Sequence, residues 1–260
     1  LFTGGAGSGE SEIRRYVLEN DLVEAIIGLP TDMFYNTGIS TYIWVLSNRK
    51  PEHRKGVTQL IDASSFWRKM RKSLGSKRRE LGEEDIATIT YLFGGCLEAD
   101  LATVLDANGA EIERMVVDAD NPAPEPPEDG KVKLKPLSIL LPNEAFGFRQ
   151  ITVERPERDA DGNVVIGTRG KQKGQPQADS SLRDTETVPL TEDVDIYFTR
   201  EVLPHAPDAW IDHDKTRVGY EIPFNRHFYV FEPPRDLADI DADLMTVTAN
   251  IQRMLTELSA

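Results

Sequence analysis

Two apolar runs, close together near the start, constrain the fold more than any other feature of this chain. Leu22-Val23-Glu24-Ala25-Ile26-Ile27-Gly28-Leu29 is rich in branched residues and ends at Pro30. The second run, Ile39 to Leu46, contains Tyr42, Ile43, Trp44 and Val45. Runs this short and apolar predict strands buried on both faces, as in an α/β sheet covered by helices. A weaker run, Gly56 to Ile61, predicts a third strand. Ahead of them a glycine-rich loop, Gly4 to Gly9, leads into a helix over roughly Glu10 to Glu19. Glu10 and Glu12 fall in its first turn, where the positive end of the helix dipole favours acids.

The remainder divides by composition. Residues 65–117 read as a mainly helical extension whose first half is basic. Residues 118–136 form a linker crowded with prolines and acids, including Pro122, Pro124, Pro126 and Pro127, with little able to form a core. Residues 137–234 predict an α+β region. Within it Asp161-Gly162 signals a hairpin turn between Gln150–Val153 and Asn163–Ile166. The polar stretch Thr168 to Asp184 is expected to be a mobile loop. In residues 235–260 the apolar residues Leu237, Ile240, Leu244, Val247, Ile251, Met254 and Leu258 alternate in steps of three and four. That is the seam of a heptad helix, which needs a surface to bury against: its own domain, or a partner chain in a bundle.

The formal net charge is −14, which by itself disfavours binding to polyanionic DNA. The average conceals a polarised distribution. Between Phe66 and Glu80 stand Arg68, Lys69, Arg71, Lys72, Lys77, Arg78 and Arg79, with Glu80 the only acid. A nucleic-acid surface would have to use this stretch; the bland reading is a solvated face. Cys96 is the only cysteine, so no intrachain disulfide forms, which suits a reducing cytoplasm. No apolar run approaches the ~18 residues of a membrane helix. The start, Leu1-Phe2-Thr3, is neither a basic signal region nor a Met, and is read as a truncation.

Several motifs invite a catalytic reading and fail it. Gly4 to Ser11 misses the phosphate-binding loop pattern because Glu10 stands where a lysine neutralises phosphates. A nucleoside triphosphatase is disfavoured accordingly. Asp212-His213-Asp214 lacks further clustered ligands, so no metal is expected. The Pro-Pro pairs, Glu125-Pro126-Pro127-Glu128 and Glu232-Pro233-Pro234-Arg235, have no short polar residue before them and no aromatic after.

The ordered set of segments is what carries a resemblance. Phe2-Thr3-Gly4-Gly5-Ala6-Gly7-Ser8-Gly9-Glu10-Ser11, Val23 to Pro30, Phe34-Tyr35-Asn36-Thr37-Gly38-Ile39, Tyr42 to Leu46, Ser73 to Arg78 and Ile222 to Tyr229 follow one another across nearly the whole chain. Together they resemble the modification (methyltransferase) subunits of type I restriction-modification systems, as a carboxy-terminal fragment. The resemblance implies an α/β fold: the C-terminal part of a Rossmann-like methyltransferase sheet (residues 1–64), then helices, a β-hairpin region and a C-terminal heptad helix. It implies DNA-adenine N6 methylation by the full-length parent. S-adenosyl-L-methionine would be the parent's cofactor, with no tight binding expected to this fragment. The Asp/Asn/Ser-Pro-Pro-aromatic catalytic tetrapeptide would lie upstream of Leu1, so the fragment alone is expected to be inactive.

The same resemblance assigns Phe34, Tyr35 and Asn36 to stacking on a flipped target base, with Phe34 the first choice and Tyr35 the alternative. Lys69, Arg71, Lys72, Lys77, Arg78 and Arg79 would touch the phosphates of double-stranded DNA. The heptad helix would dock the specificity subunit, beside a second modification subunit and the restriction subunit. Two rival readings stand beside this one: a non-catalytic scaffold assembled through the last helix, and another Rossmann-type methyltransferase.

Overall fold

The protein is represented by a computed structural model that describes residues 2–169, 173–231, 233, 234 and 236–258. Helix α1 (Gly9–Glu19) begins at Ser8, whose hydroxyl accepts the Ser11 N–H at 3.3 Å. Strand β1 (Val23–Leu29) pairs antiparallel with β2 (Thr41–Leu46) and parallel with β3 (Val57–Asp62). The strands β4 (Arg68–Leu74) and β5 (Lys77–Glu80) make a separate two-stranded hairpin. Helix α2 (Glu83–Gly95) follows, then β6 (Ala99–Leu105), β7 (Glu111–Val117) and β8 (Lys131–Pro142). These complete a six-stranded sheet of order β2-β1-β3-β8-β6-β7, in which β1–β3 is the one parallel pair.

Strands β9 (Gly147–Glu154), β10 (Asp184–Pro189) and β11 (Trp210–Tyr220) form a three-stranded antiparallel sheet with β9 in the middle. Short helix α3 (Val194–Tyr197) continues into a wide turn over Phe198–Val202, and Phe198 and Val202 join Ile151, Val153 and Val188 in its core. A single helical turn, α4 (Phe224–His227), precedes the long helix α5 (Leu237–Leu258). The chain divides into two compact units, Leu1–Phe228 and Tyr229–Ala260.

Alternation along the central strands explains the layering. Side chains of a strand point to opposite faces in turn. Ile27 and Leu29 of β1 and Ile61 of β3 face one core, where Ile89 and Leu92 of α2 cover them. Ile26 of β1 and Leu60 of β3 face the other, covered by Leu18 of α1 and by Tyr220, Ile222, Phe224 and Phe228. Gly28 permits this second lid: a Cβ there would lie 2.8 Å from Phe224 Cε1. Strand β3 carries buried polar side chains at Thr58, Gln59 and Asp62. Gln59 is fully buried, and its amide donates to the carbonyls of Leu92 and Leu97 and to Ser138 Oγ at 2.9–3.2 Å, closing the end of α2.

Four expectations are corrected. The stretch 65–117 is not mainly helical: it holds one helix, α2, and four strands. In a helix Arg68 and Lys72 would stand four apart and repel, at a small cost of about 0.2–0.5 kcal/mol. Gly75 then breaks the run at φ 59°, a left-handed backbone that glycine favours. The linker ends early, since β8 begins at Lys131 and sits between β3 and β6; the 137–234 stretch is therefore not separate from the first sheet. The turn at Gly162 (φ 84°) forms, but Asn163–Ile166 makes isolated bridges only, and β9 pairs instead with β10 and β11. Strand β2 is half-exposed rather than buried on both faces, being the sheet's edge. Part of the expected mobile loop, residues 170–172, lies outside the described residues.

Arg14 ties the two ends of the first unit together. Its side chain is inaccessible to solvent, and its guanidinium donates to the carbonyls of Tyr220 at 2.5 Å and of Thr3 and Gly4 at 3.2 Å. Beside it Ser11 Oγ accepts the Tyr220 N–H at 3.0 Å. Replacing Arg14 by Met strands three carbonyls. We expect Arg14→Met to destabilise the fold by about 3 kcal/mol. Urea unfolding should show this as a lower midpoint at unchanged slope, and an unmoved midpoint would refute the clamp.

Candidate nucleic-acid interface

The segment between β1 and β2, residues 30–40, is a turn-rich loop that must reverse the chain at the sheet edge. It does so with two non-glycine residues in left-handed backbone, Asp32 (φ 60°) and Asn36 (φ 58°). The Phe34 carbonyl accepts the Thr37 N–H at 3.3 Å, closing a tight turn that lifts side chains outward. Phe34 is 47% exposed and Tyr35 67% exposed, and Asn36 is exposed as well. Full burial of such a ring would be worth about 1.5–3 kcal/mol, and part of that is forgone at these two positions.

The β4–β5 hairpin stands directly against this loop. Phe66, buried in the α2-side core, anchors its base. The backbone N–H groups of Arg78 and Arg79 both donate to the Asp32 carbonyl, at 2.9 and 3.2 Å. Arg79 also donates from its guanidinium to Thr31 Oγ1 at 3.0 Å, and its guanidinium lies 3.8 Å from the centre of the Trp67 ring. At the hairpin tip, a Cβ on Gly75 would lie 2.9 Å from Tyr35 Cε2 and 3.6 Å from Asn36 Oδ1. The aromatic loop and the cationic hairpin therefore form one continuous surface.

The hairpin cations are not equivalent. Arg68 pairs with Glu80 at 3.0 Å across the ladder, in an exposed pair worth little. Arg79 is committed to Trp67 and Thr31. Lys69, Arg71, Lys72, Lys77 and Arg78 have no carboxylate partner among the described residues. A hairpin suits such a cluster, since its alternating side chains spread charge to both faces. Trp67, Gly75, Thr31 and Asp32 were not anticipated as parts of the site. The Ser73-Leu74-Gly75-Ser76 sequence held the signal for a turn, but its charged flanks also read as helix.

Other sequence candidates fall elsewhere. Leu237, Leu244, Val247, Ile251, Met254 and Leu258 on α5 are exposed, Ile240 is half-buried, and no residue of the helix is buried. Cys96 caps α2 in a left-handed conformation, a structural position. Asp212 pairs with Lys215 at 2.8 Å, and no cluster of three metal-ligating side chains exists among the described residues. No helix among them is long and apolar enough to cross a membrane.

The glycine loop does not fit a methyl donor. The Arg14 guanidinium fills it through the Thr3 and Gly4 carbonyls, and Ala6 packs against Gly219. No catalytic step through a donor is derived from these residues.

The stretch that carries this surface is similar to known proteins. Residues 1–115 match the N-6 DNA Methylase family. The type I restriction enzyme MjaIX methylase subunit of Methanocaldococcus jannaschii is 34% identical over 88 residues, covering 34% of this chain and 15% of that protein. The MjaVII methylase subunit of the same organism is 40% identical over 93 residues, covering 36% and 15%. A type I restriction-modification methyltransferase subunit from Streptococcus thermophilus, of known structure, is 26% identical, with a TM-score of 0.31 over 36% of this chain and 18% of that one. The matched stretch thus spans only about 15% of the curated relatives' length. Within those bounds, residues 1–115, which carry the aromatic loop and the basic hairpin, are similar to the N-6 DNA methylase family and to type I methylase subunits.

Proposed function

We propose that this chain is the part of a type I DNA-adenine N6-methyltransferase subunit that receives the target adenine and the DNA backbone. The observation that carries this reading is the junction of Phe34 and Tyr35 with the β4–β5 hairpin through Asp32 and Gly75. Methylating adenine N6 requires the base to leave the duplex and be held by stacking and edge contacts. Phe34 offers an exposed ring face, with Tyr35 the alternative and Asn36 beside them; stacking on such a face is worth about 1–3 kcal/mol per base. Lys69, Arg71, Lys72, Lys77 and Arg78 then meet the phosphates, fixing position without reading sequence. S-adenosyl-L-methionine is the donor proposed for the parent protein, held by residues other than those of the glycine loop.

Helix α5 supplies the proposed docking surface for a specificity subunit. Its heptad seam is unburied, and it lies in a compact unit of its own, as a helix meant for a bundle would. A second modification subunit and the restriction subunit complete the proposed assembly.

Phe34→Ala in the full-length protein is expected to lower methyl transfer at least tenfold while leaving the unfolding midpoint in place. Glutamate at Lys69, Lys72 and Lys77 should weaken DNA binding and flatten its salt dependence, by about 0.9 in slope for each phosphate no longer neutralised. Unchanged transfer, or an unchanged salt slope, would each refute the corresponding assignment. Leu244→Asp with Ile251→Asp removes two apolar side chains whose burial is worth about 1.5–3 kcal/mol each. Gel filtration with the specificity subunit should then show no complex; a retained complex would leave α5 without this role.

A further inference from the structure

The loop that presents Phe34 is in an unusual backbone state. Asp32 and Asn36 both adopt left-handed φ values, which Asp and Asn tolerate better than other non-glycine residues, so their neighbours decide the loop's shape. Beyond the loop's own Thr37–Phe34 hydrogen bond, the interactions that hold it come from the hairpin. The hairpin grips the loop at its start, where Arg79 donates to Thr31 Oγ1. It grips again at Asp32, whose carbonyl accepts two hairpin N–H groups. It meets the loop once more past Phe34, where Gly75 lies against Tyr35 and Asn36. Phe34 sits between the gripped points and is itself unsupported on its exposed side.

We infer that the β4–β5 hairpin is the brace that sets the base-stacking loop, and that Arg79 is a positioning residue rather than a phosphate ligand. This inference rests on the base-stacking reading above. Arg79 is suited to the part by shape. One face of its planar guanidinium covers the Trp67 ring while an edge donates to Thr31. A lysine ammonium is a compact, strongly hydrated charge and cannot reproduce that combination. Gly75 is suited by absence of a side chain: its φ is 59°, and any Cβ would meet the Tyr35 ring. The hairpin thus performs two tasks at once. Lys69, Arg71, Lys72, Lys77 and Arg78 serve the backbone of DNA, and the hairpin backbone fixes the ring that holds the base. Docking on phosphates is mechanically linked to the geometry of base capture.

Two variants of the full-length enzyme assembled with its partners test this: Arg79→Lys, which preserves charge, and Gly75→Val, at an exposed turn. The probe is a duplex bearing the enzyme's own methylation site, with 2-aminopurine in place of the target adenine for fluorescence. Misplacing a positioned group by ~1 Å costs on the order of a hundredfold in rate. Both variants should keep DNA affinity within about twofold and an unchanged salt slope, because every phosphate stays neutralised. Both should abolish the fluorescence rise of the extruded base and lower kcat at least tenfold. If Arg79→Lys and Gly75→Val transfer methyl groups normally, the brace is wrong. It is also wrong if Arg79→Lys reduces DNA affinity in step with rate, the mark of a plain phosphate ligand. Phe34→Ala measured in parallel separates the two levels. Impaired transfer in Phe34→Ala with normal Arg79→Lys and Gly75→Val sinks the brace alone, whereas normal transfer in Phe34→Ala sinks the stacking reading beneath it.

Discussion

Burial of β1 and β3 on both faces is the constraint from which the rest of the first unit follows. Two neighbouring parallel strands that are apolar on each side need two lids, and only α1, one part of one lid, is local to them. Helix α2 closes one face after an excursion through the basic hairpin. The other face is closed by α1 together with the segment around Ile222 and Phe224, far along the chain. Burying the large side chains in these two layers provides the main favourable term, at ~25 cal/mol per Å² of apolar surface. The Arg14 clamp and the buried Gln59 amide satisfy backbone carbonyls that the closure would otherwise strand.

The candidate site lies where that closed core meets its open edge. Strand β2 has only β1 as a neighbour, so the β1–β2 loop emerges at the rim of the sheet. Phe66 roots the hairpin in the core beneath α2, and from there the hairpin reaches the loop. An acidic chain of net charge −14 thereby presents a local cationic surface beside two exposed aromatics. Charge polarity of this kind steers a polyanion toward one face of a molecule that repels it elsewhere.

Much of this was legible in residue order, though unevenly. Branched apolar runs identified β1 and the neighbourhood of β2 and β3, because burial selects such residues irrespective of long-range context. Glycines and first-turn acids located α1, and steps of three and four located α5. The basic stretch misled because Arg, Lys, Met and Leu favour helix individually, while Gly75 at φ 59° turns the chain into a hairpin. Strand β8 was partly hidden in a linker because Lys131, Lys133 and Lys135 alternate with Val132 and Leu134, a half-exposed pattern next to a run of prolines. Phe34 and Tyr35 were nameable from a resemblance. Their brace was not, since the Asp32 carbonyl, the Gly75 approach and the Arg79–Trp67 stacking exist only in three dimensions.

The central claim is that the Phe34 loop is where the target base goes. Photo-crosslinking tests it most directly: a duplex with a photoreactive base at the methylated position, bound to the assembled full-length enzyme, followed by mapping of the attached peptide. The account predicts attachment within residues 31–36, centred on Phe34 or Tyr35. Attachment elsewhere, with the loop unmodified, would contradict it.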